Sequence, residues 1–341
     1  MEDNNTIAIN QGIKVFHEFY PELIDLWNAL YNDGANYNLS YEWCYHWFKH
    51  FGKNRKPYIV AFFENKELKL LAPLYLFKNQ LSLIGTKPDL YDEFNILYKD
   101  AKYIDKLLEF IEKSKLELNL KHVNSETEFA KALVKRFSGT GIKFASDVTE
   151  TKPYLLAPFE PKGPIVTDIK RCEKNILKKL SKEYEFESDA EKSEANIEEF
   201  IRFHIHRWDG GMLVKKKNLI DFVREVIKLD VCKFSRLYIK DTNETAAYGI
   251  GFLDSNNKYW LSMPTYNAEY KPFSPGKVFL FKLIENVMEN GTTHFDFGRG
   301  SEPYKNWFAN SQAILFNVLT VNNVYYYKVL NLINKILKKI F

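Results

Sequence analysis

The chain has 341 residues, of which 45% are hydrophobic and 27% charged, and its formal net charge is +4. This composition excludes a disordered chain, predicts about two domains, and makes nucleic acid a poor candidate partner. The polar start MEDNNTIAIN does not resemble a signal peptide. Scattered cysteines without a CxxC pair predict free thiols in a cytoplasmic protein with no metal site: Cys44, Cys172 and Cys232.

Residues 1–150 are predicted to form one α/β domain. Apolar residues at helical spacing predict helices in FHEFYPELIDLWNAL and in LSYEWCYHWFKHFG, where Ser40 suits an N-cap. Apolar runs between turn residues predict strands in PYIVAFF, LKLLAPLYLF, LSLIG and FNILY. Helices are expected again at residues 101–112 and 126–138.

Four prolines in TKPYLLAPFEPKGP predict a linker over residues 151–164. A second domain is predicted over residues 165–323, with helices at 168–186, 195–208 and 276–290. Its strands are expected in FSRLYI, AAYGIGFL, KYWLSMP and HFDFG. Both halves repeat the same order of elements. We therefore expect an α/β (α+β) fold of two tandem domains, each a mixed, mainly antiparallel sheet flanked by helices.

The tail, residues 324–341, is predicted to be a basic amphipathic helix. It contains no acidic residue and four lysines. One interpretation is a helix that binds a membrane surface or a partner. The preferred one is a terminal helix packed on its own domain. The lysines are Lys328, Lys335, Lys338 and Lys339.

The stretch FSPGKVFLF predicts a helix start suited to an anion. Ser274 suits the N-cap, Pro275 the first helical position, and Gly276 lets a ligand approach the backbone. First-turn amides, the helix dipole and Lys277 together suit a diphosphate. A plain helix start is the equal alternative.

The stretch FDFGRGSEPYKNWF, residues 295–308, predicts a short strand followed by a turn rich in polar side chains. Such a turn is either structural or the rim of a reaction site. The polar residues are Arg299, Ser301, Glu302, Tyr304 and Lys305.

These segments follow the order of acyl-coenzyme A binding in GNAT N-acyltransferases, which is strand, anion-binding helix start, strand and polar turn. The chain resembles two-domain GNAT-like proteins of the CelD-like group, relatives of the Fem aminoacyl ligases. SYEWCYHWFKHFG, LKLLAPLYL, LSLIGTKPDLYDEFNIL, HIHRW, FSPGKVFLFKLIE and FDFGRGSEPYKNWF carry the resemblance. The aspartate pattern of that family is altered here to Tyr-Asp-Glu-Phe. Within the group the chain looks most like N-acyltransferases of anthrose biosynthesis.

The resemblance implies transfer of a short hydroxyacyl group from coenzyme A to the 4-amino group of a dTDP-linked 4-amino-4,6-dideoxy sugar. It assigns the nucleotide-sugar to the N-terminal domain and acyl-coenzyme A to the C-terminal domain. Two alternatives stay open. One is a Fem-like ligase that uses aminoacyl-tRNA, and the other is a non-catalytic GNAT-like module in polysaccharide assembly.

Amine attack on a thioester needs a proton acceptor, and we predict that Asp92 is this base, with Glu93 and Asp89 as competitors. Ser82 is expected to orient the amine, and Ser301 to protonate the leaving thiolate. His204 and His206 are weaker candidates for the base. The spacing of His46 and His50 lacks the third ligand of a metal site.

Further residues are expected to bind the two substrates. Those for acyl-coenzyme A are Ser262, Met263, Ser274, Pro275, Gly276, Lys277, Tyr304 and Lys305. Backbone amides near Ser262 and Met263 are the candidates for the thioester carbonyl. The residues expected to bind the nucleotide-sugar are Tyr41, Trp43, Tyr91, Glu93, Arg207 and Trp208.

Overall fold

A computed structural model describes residues 12–32, 35–86, 92–138, 143–161, 163–180, 183–207 and 217–321. The chain divides into two compact units. The first unit comprises the described parts of Met1–Asp33, Gly52–Glu150 and Ile314–Phe341, and the second those of Gly34–Phe51 and Thr151–Ala313. The predicted basic tail helix, residues 324–341, lies outside the described residues.

The first unit contains a mixed sheet in the order β1-β2-β3-β4-β6-β13, with β5 paired to β3. β4 and β6 are parallel, and the other pairs in this order are antiparallel. Its strands are β1 Gly12–Phe16, β2 Lys56–Glu64, β3 Glu67–Phe77, β4 Gln80–Leu83, β5 Leu97–Tyr98, β6 Glu117–Asn124 and β13 Ser311–Val321. Its helices are α1 Ile24–Tyr31, α3 Lys102–Ser114 and α4 Glu128–Phe137.

The second unit repeats this arrangement in the order β8-β9-β10-β11-β12-β7. Again the fourth and fifth strands in the order, β11 and β12, are parallel. Its strands are β7 Lys143–Leu156, β8 Tyr184–Glu187, β9 Cys232–Ile239, β10 Thr245–Leu253, β11 Lys258–Tyr266 and β12 His294–Asp296. Its helices are α2 Tyr41–Phe51, α5 Pro164–Leu180, α6 Glu194–Arg207, α7 Lys217–Ile227 and α8 Pro275–Glu289. The predicted mixed, mainly antiparallel α/β fold is confirmed.

Several local features differ from the sequence expectation. The helix predicted at 168–186 ends at Leu180, and β8 Tyr184–Glu187 includes its last predicted residues. A helix not predicted from the sequence, α7, lies at Lys217–Ile227. The first helix begins at Ile24, because the chain first forms β1 and a short 3-10 turn at Pro21–Leu23. The proline-rich segment expected as a linker begins inside β7, which pairs with β12 through Leu156, and ends where α5 begins at Pro164. Residues 34–51 precede the expected boundary at residue 150 but belong to the second unit.

The second unit packs α5 and α8 on one face of its sheet. Phe279 of α8 lies so close to β10 that a Cβ on Gly249 would come within 2.5 Å of its ring. On the opposite face Tyr37 stacks on Phe252 of β10 with ring centroids 4.0 Å apart. Gly249 in AAYGIGFL therefore lets α8 approach the sheet closely. This close approach positions the first turn of α8 beside β11.

Candidate functional site

β11 and β12 pair over only three residues and then separate. The parallel register joins Lys258 to His294 and ends at Trp260 with Asp296. β11 continues to Tyr266, still paired to β10. The chain after β12 follows β7 instead, because the amide of Phe297 donates to the carbonyl of Pro153. The described part of β11 beyond Trp260 thus has one edge that forms no ladder with β12.

A β-bulge lies where the two strands separate. Ile250 of β10 pairs with Met263 and Gly251 with Leu261, so Ser262 is an extra residue on β11. A bulge takes one peptide unit out of the ladder and turns its polar groups aside. Ser262 and Met263, predicted to supply amides for a thioester carbonyl, are both half-buried at this bulge.

α8 begins beside the end of β11. Ser274 precedes it in the left-handed region, with φ of 54°, and its hydroxyl makes no N-cap hydrogen bond. This corrects the predicted capping role of Ser274. Pro275 has no amide hydrogen, and a Cβ on Gly276 would lie 3.4 Å from the ring of Tyr266, in ordinary contact. The helix start is therefore not closed by a side-chain cap.

A cleft of about 340 Å³, here called the α8 cleft, opens at this point. The residues that line it come from the end of α6, the end of β11, the 3-10 turn Ala268–Phe273, the start of α8 and the turn after β12. Five of the predicted coenzyme residues line it, together with Arg207, which is predicted to bind the nucleotide-sugar. The five are Ser274, Pro275, Gly276, Lys277 and Tyr304.

Arg207 fixes the end of β11 and forms part of the cleft wall. Its Nη1 donates to the carbonyl of Pro264 at 2.9 Å, and its guanidinium carbon lies 4.6 Å from the ring centroid of Tyr266. Burial lowers the pKa of Arg207, with smaller opposing effects of Tyr266 and Tyr304. An arginine stays protonated under such a shift, so the cleft keeps one fixed positive charge.

Lys277 supplies a second positive charge, which is already paired. Its Nζ lies 2.7 Å from Oδ2 of Asp168 and 4.8 Å from the ring centroid of Trp307. The hydrogen bond from Lys277, opposed by burial and aided by Arg171, lowers the pKa of Asp168. Asp168 is therefore ionised at neutral pH, and an incoming phosphate would share Lys277 with it.

Lys305, predicted to bind acyl-coenzyme A, makes its described contacts within its own turn. Its side chain is buried, and Nζ bonds to the carbonyls of Gly298 and Arg299 and lies 2.9 Å from Oε2 of Glu302. A lysine has three donors, and these contacts use them. The geometry favours a structural lysine that closes the turn. Ser301 is exposed, and it is Tyr304 from this turn that lines the α8 cleft.

A buried ionic cluster lies where β11 and β12 still pair. Asp296 is fully buried, with Lys152 Nζ at 2.7 Å and Lys258 Nζ at 3.3 Å from its Oδ2. Burial alone would raise the pKa of Asp296, but the two lysines hold it well below its usual range. Both ammonium groups also lie over the ring of Trp260. This cluster fixes the strands just before they separate.

The predicted residues of the first unit lie on and after β4. Ser82 is buried opposite Tyr75 of β3. Asp92 is half-buried in the connection that follows β4. Glu93 is buried, and its Oε2 accepts from Nδ2 of Asn124 at 3.1 Å. The contact of Glu93 with Asn124 favours a structural carboxylate, and the proposed role of Asp92 as base remains a prediction.

The aromatic residues predicted to bind a nucleotide are buried where they are described. Trp43 is 1% exposed and packs edge-on against Phe222, with ring centroids 5.6 Å apart. Tyr41 is also buried and stacks on Tyr45. Trp43 and Tyr41 therefore belong to the packing of the second unit. Tyr91, Trp208 and Asp89 lie outside the described residues.

The surroundings of His204, His46 and His50 do not favour a base or a metal site. Burial, with a smaller effect of Arg207, lowers the pKa of His204 to about 4, which makes it a poor base near neutral pH. His46 and His50 both contact Oε2 of Glu225 on α7, at 2.5 and 2.9 Å. Across the described ranges, no group of three or more His, Cys, Asp or Glu residues is placed to hold a metal ion.

Sequence reasoning missed Tyr266, Asp168 and Trp307, which line or border the α8 cleft. Of these three, only Trp307 could have been suspected from the sequence, because it lies near the end of the polar stretch that follows β12. Separately, none of the described helices has the length and apolarity needed to cross a membrane.

Known proteins resemble this chain in fold and, over part of its length, in sequence. Residues 166–306 match the family model of the acetyltransferase (GNAT) domain. No curated protein sequence matches the chain. Among solved structures, L-PGS from Bacillus licheniformis is 11% identical with a TM-score of 0.62, and the alignment covers 93% of this chain and 97% of that one.

Two further solved structures share the fold along most of the chain. A conserved protein of unknown function from Bacteroides thetaiotaomicron is 12% identical with a TM-score of 0.60, over 91% of this chain and 100% of that one. FemX is 10% identical with a TM-score of 0.58, over 93% of this chain and 99% of that one. At such identities the likeness concerns the fold. The family match, residues 166–306, falls within the second unit, and that part of the chain is therefore similar to the acetyltransferase (GNAT) domain.

Proposed function

We propose that the protein is an N-acyltransferase that takes its acyl group from a coenzyme A thioester bound in the α8 cleft. The observation that carries the proposal is the separation of β11 from β12 at a bulge, directly beside the start of α8. A pantetheine arm carries two amides. The edge of β11 beyond Trp260 offers them backbone partners in the manner of an added strand.

The start of α8 suits the diphosphate of the same ligand. First-turn amides and the helix dipole favour an anion there, and Gly276 leaves room for it. Lys277 adds a positive charge at the cleft wall. These features support acyl-coenzyme A as the donor, with the nucleotide end lying at α8 and the thioester reaching toward the bulge at Ser262.

The chemistry proposed is direct attack of a free amine on the thioester carbonyl. The base removes one proton from the amine, the C–N bond forms, and the C–S bond breaks to release the coenzyme thiolate. Backbone amides at the bulge suit the oxyanion. Tyr304 is favoured over Ser301 as the proton donor to the thiolate, because it lines the cleft. Asp92 is retained as the base.

For the acceptor we propose the 4-amino group of a dTDP-linked 4-amino-4,6-dideoxy sugar, and a short hydroxyacyl group for the donor. The support for both is the sequence resemblance. Ser82, Tyr91 and Trp208 stay predicted contacts of this acceptor. The juxtaposition of two bound substrates would supply much of the rate through proximity.

The experiment is a thermal-shift screen of coenzyme A thioesters crossed with nucleotide-linked amino sugars, followed by an assay of thiol release. We expect a rise in Tm with acyl-coenzyme A, a larger rise with the matching pair, and thiol release that depends on the amine. Transfer from aminoacyl-tRNA without coenzyme A binding would replace the proposal by a Fem-like ligase. Binding of neither ligand, with capture by anionic liposomes, would replace it by a non-catalytic module.

A further inference from the structure

Trp307 is a large aromatic side chain that remains 42% exposed in a position fixed by buried neighbours. It ends the 3-10 turn Lys305–Trp307, and its amide donates to the carbonyl of Tyr304. Tyr304, which precedes this turn, lines the α8 cleft. Lys305 at the start of the turn and Phe308 directly after it are both buried. The indole is thus held in place while a large part of its surface remains exposed.

Two clefts meet at this indole. Trp307 lines the α8 cleft, and it also lines a second cleft of about 730 Å³ at the start of α5, here called the α5 cleft. Asp168 and Arg171 also line the α5 cleft. Lys277, which is paired with Asp168, places its Nζ over one face of the ring, 4.8 Å from the centroid, so a base would stack on the other face.

A coenzyme whose pantetheine arm follows β11 and whose diphosphate lies at the start of α8 would extend its nucleotide away from β11. The α5 cleft adjoins the α8 cleft, and Trp307 provides a flat aromatic surface at the junction. Arg171 is 71% exposed there and is paired only at its Nη2 with Asp168 by the described contacts. Its guanidinium offers further donors to a phosphate.

We propose that Trp307 is the stacking platform for the nucleobase of the acyl carrier, and that Arg171 binds a phosphate on the ribose of the same nucleotide. This inference rests on the proposed function, because it extends the donor site of the α8 cleft into the α5 cleft. The ligand class is a purine nucleotide with a 3′-phosphate, as in coenzyme A. The terminal adenosine of an aminoacyl-tRNA has the base but no 3′-phosphate.

The test measures binding of coenzyme A, dephospho-coenzyme A and adenosine 3′,5′-bisphosphate by calorimetry. Trp307→Ala should weaken all three by about tenfold to a hundredfold, the effect of losing one base–aromatic stack, and Trp307→Phe should retain most of the affinity. Arg171→Ala should weaken coenzyme A and the bisphosphate by about tenfold and leave dephospho-coenzyme A unchanged.

Matched controls exist elsewhere in the chain. Phe77 is an exposed ring with Lys78 Nζ 5.7 Å from its centroid, and Arg202 is an exposed arginine paired three residues away with Glu199. Phe77→Ala and Arg202→Ala should leave all three affinities unchanged. Both control variants should also turn over an acyl-pantetheine, which lacks the nucleotide, at the wild-type rate.

A fluorescence measurement keeps the proposal testable if Trp307→Ala does not fold. Adenosine 3′,5′-bisphosphate should quench part of the tryptophan emission of the wild type and none of it in Trp307→Phe. Equal coenzyme A affinity in wild type and both Trp307 variants overturns the inference and leaves the proposed function standing. Bisphosphate binding that depends on Trp307, without acyl transfer, supports the inference while the proposed function fails.

Discussion

The two units share one strand order, yet their central parallel pairs end differently. In the first unit β4 pairs with β6 at Gln80 and Leu81 and stops at Leu83. In the second unit β11 pairs with β12 up to Trp260 and continues to Tyr266. The same topology thus leaves a long unpaired strand edge in only one of the two described pairs. A binding edge depends on strand length as much as on topology.

The helices that follow β4 and β11, α3 and α8, differ in whether a side chain bonds to a backbone amide at the helix start. At the start of α3 the amide of Lys102 donates to Oδ1 of Asp100 at 2.9 Å. At the start of α8 the hydroxyl of Ser274 makes no such bond. The carboxylate of Asp100 occupies the place that an anionic ligand would take at α3 and would repel it. The comparison explains why the proposed donor site belongs to the second unit.

The largest expected effect is on the rate of acyl transfer, and it is expected from a change at Asp92, the proposed base in the first unit. Asp92→Asn should lower the rate of acyl transfer by about 10²- to 10⁴-fold, because the amine would lose its proton acceptor. The dissociation constants of both substrates should change little. Steady-state kinetics and calorimetry measure the two quantities. Glu93→Gln is the neighbouring control, and a wild-type rate in Asp92→Asn would remove the base assignment.

The second effect tests the ionic cluster that holds β11 and β12 together. Asp296→Ala leaves Lys152 buried without its carboxylate, and should reduce the free energy of unfolding by about 3–5 kcal/mol. Urea denaturation measures this loss. The exposed Glu109→Ala serves as the control and should leave the urea midpoint unchanged. A midpoint unchanged in Asp296→Ala would show that the cluster does not stabilise the second unit.

The same cluster has a defined pH dependence. The pKa of Asp296 lies below its usual range in the folded protein, so the folded state binds fewer protons than the unfolded chain in acid. The stabilisation is therefore present above about pH 4, the ordinary carboxyl range, and decreases as the pH falls further. The wild type should lose more stability than Asp296→Ala between neutral pH and pH 3.

The third effect tests the helix start that distinguishes α8 from α3. Gly276→Val should weaken coenzyme A binding by about tenfold or more, because a branched side chain crowds the first turn. A Cβ alone at this position lies in ordinary contact with Tyr266, so Gly276→Ala is the folded control with a smaller effect. Ala101→Val, at the start of α3, should leave the affinity unchanged. Equal affinities in all three variants would move the diphosphate away from α8.

The strand pattern and the start of α8 could be predicted because their signals are local, in alternating apolar residues and in the order Ser-Pro-Gly. The roles of the aromatic residues could not. Trp43 is 1% exposed and Trp307 is 42% exposed, although each follows a similar mixture of aromatic and polar neighbours. Their burial depends on tertiary partners such as Phe222, which is distant in sequence. The carbonyl partners of Lys305 likewise could not be predicted, because they depend on how its turn folds.

The smallest expected effect is on the free energy of unfolding. It is expected from changes at Ser40 and Ser274, which the sequence predicts equally as N-caps. Ser40 caps α2 as predicted, since its Oγ accepts from the amide of Trp43 at 3.3 Å, whereas Ser274 has a positive φ and caps nothing. Ser40→Ala should lower the free energy of unfolding by about 1 kcal/mol. Ser274→Gly should be neutral or slightly stabilising, because glycine tolerates the left-handed region. If both variants lowered stability equally, the uncapped start of α8, and with it the open anion site, would be contradicted.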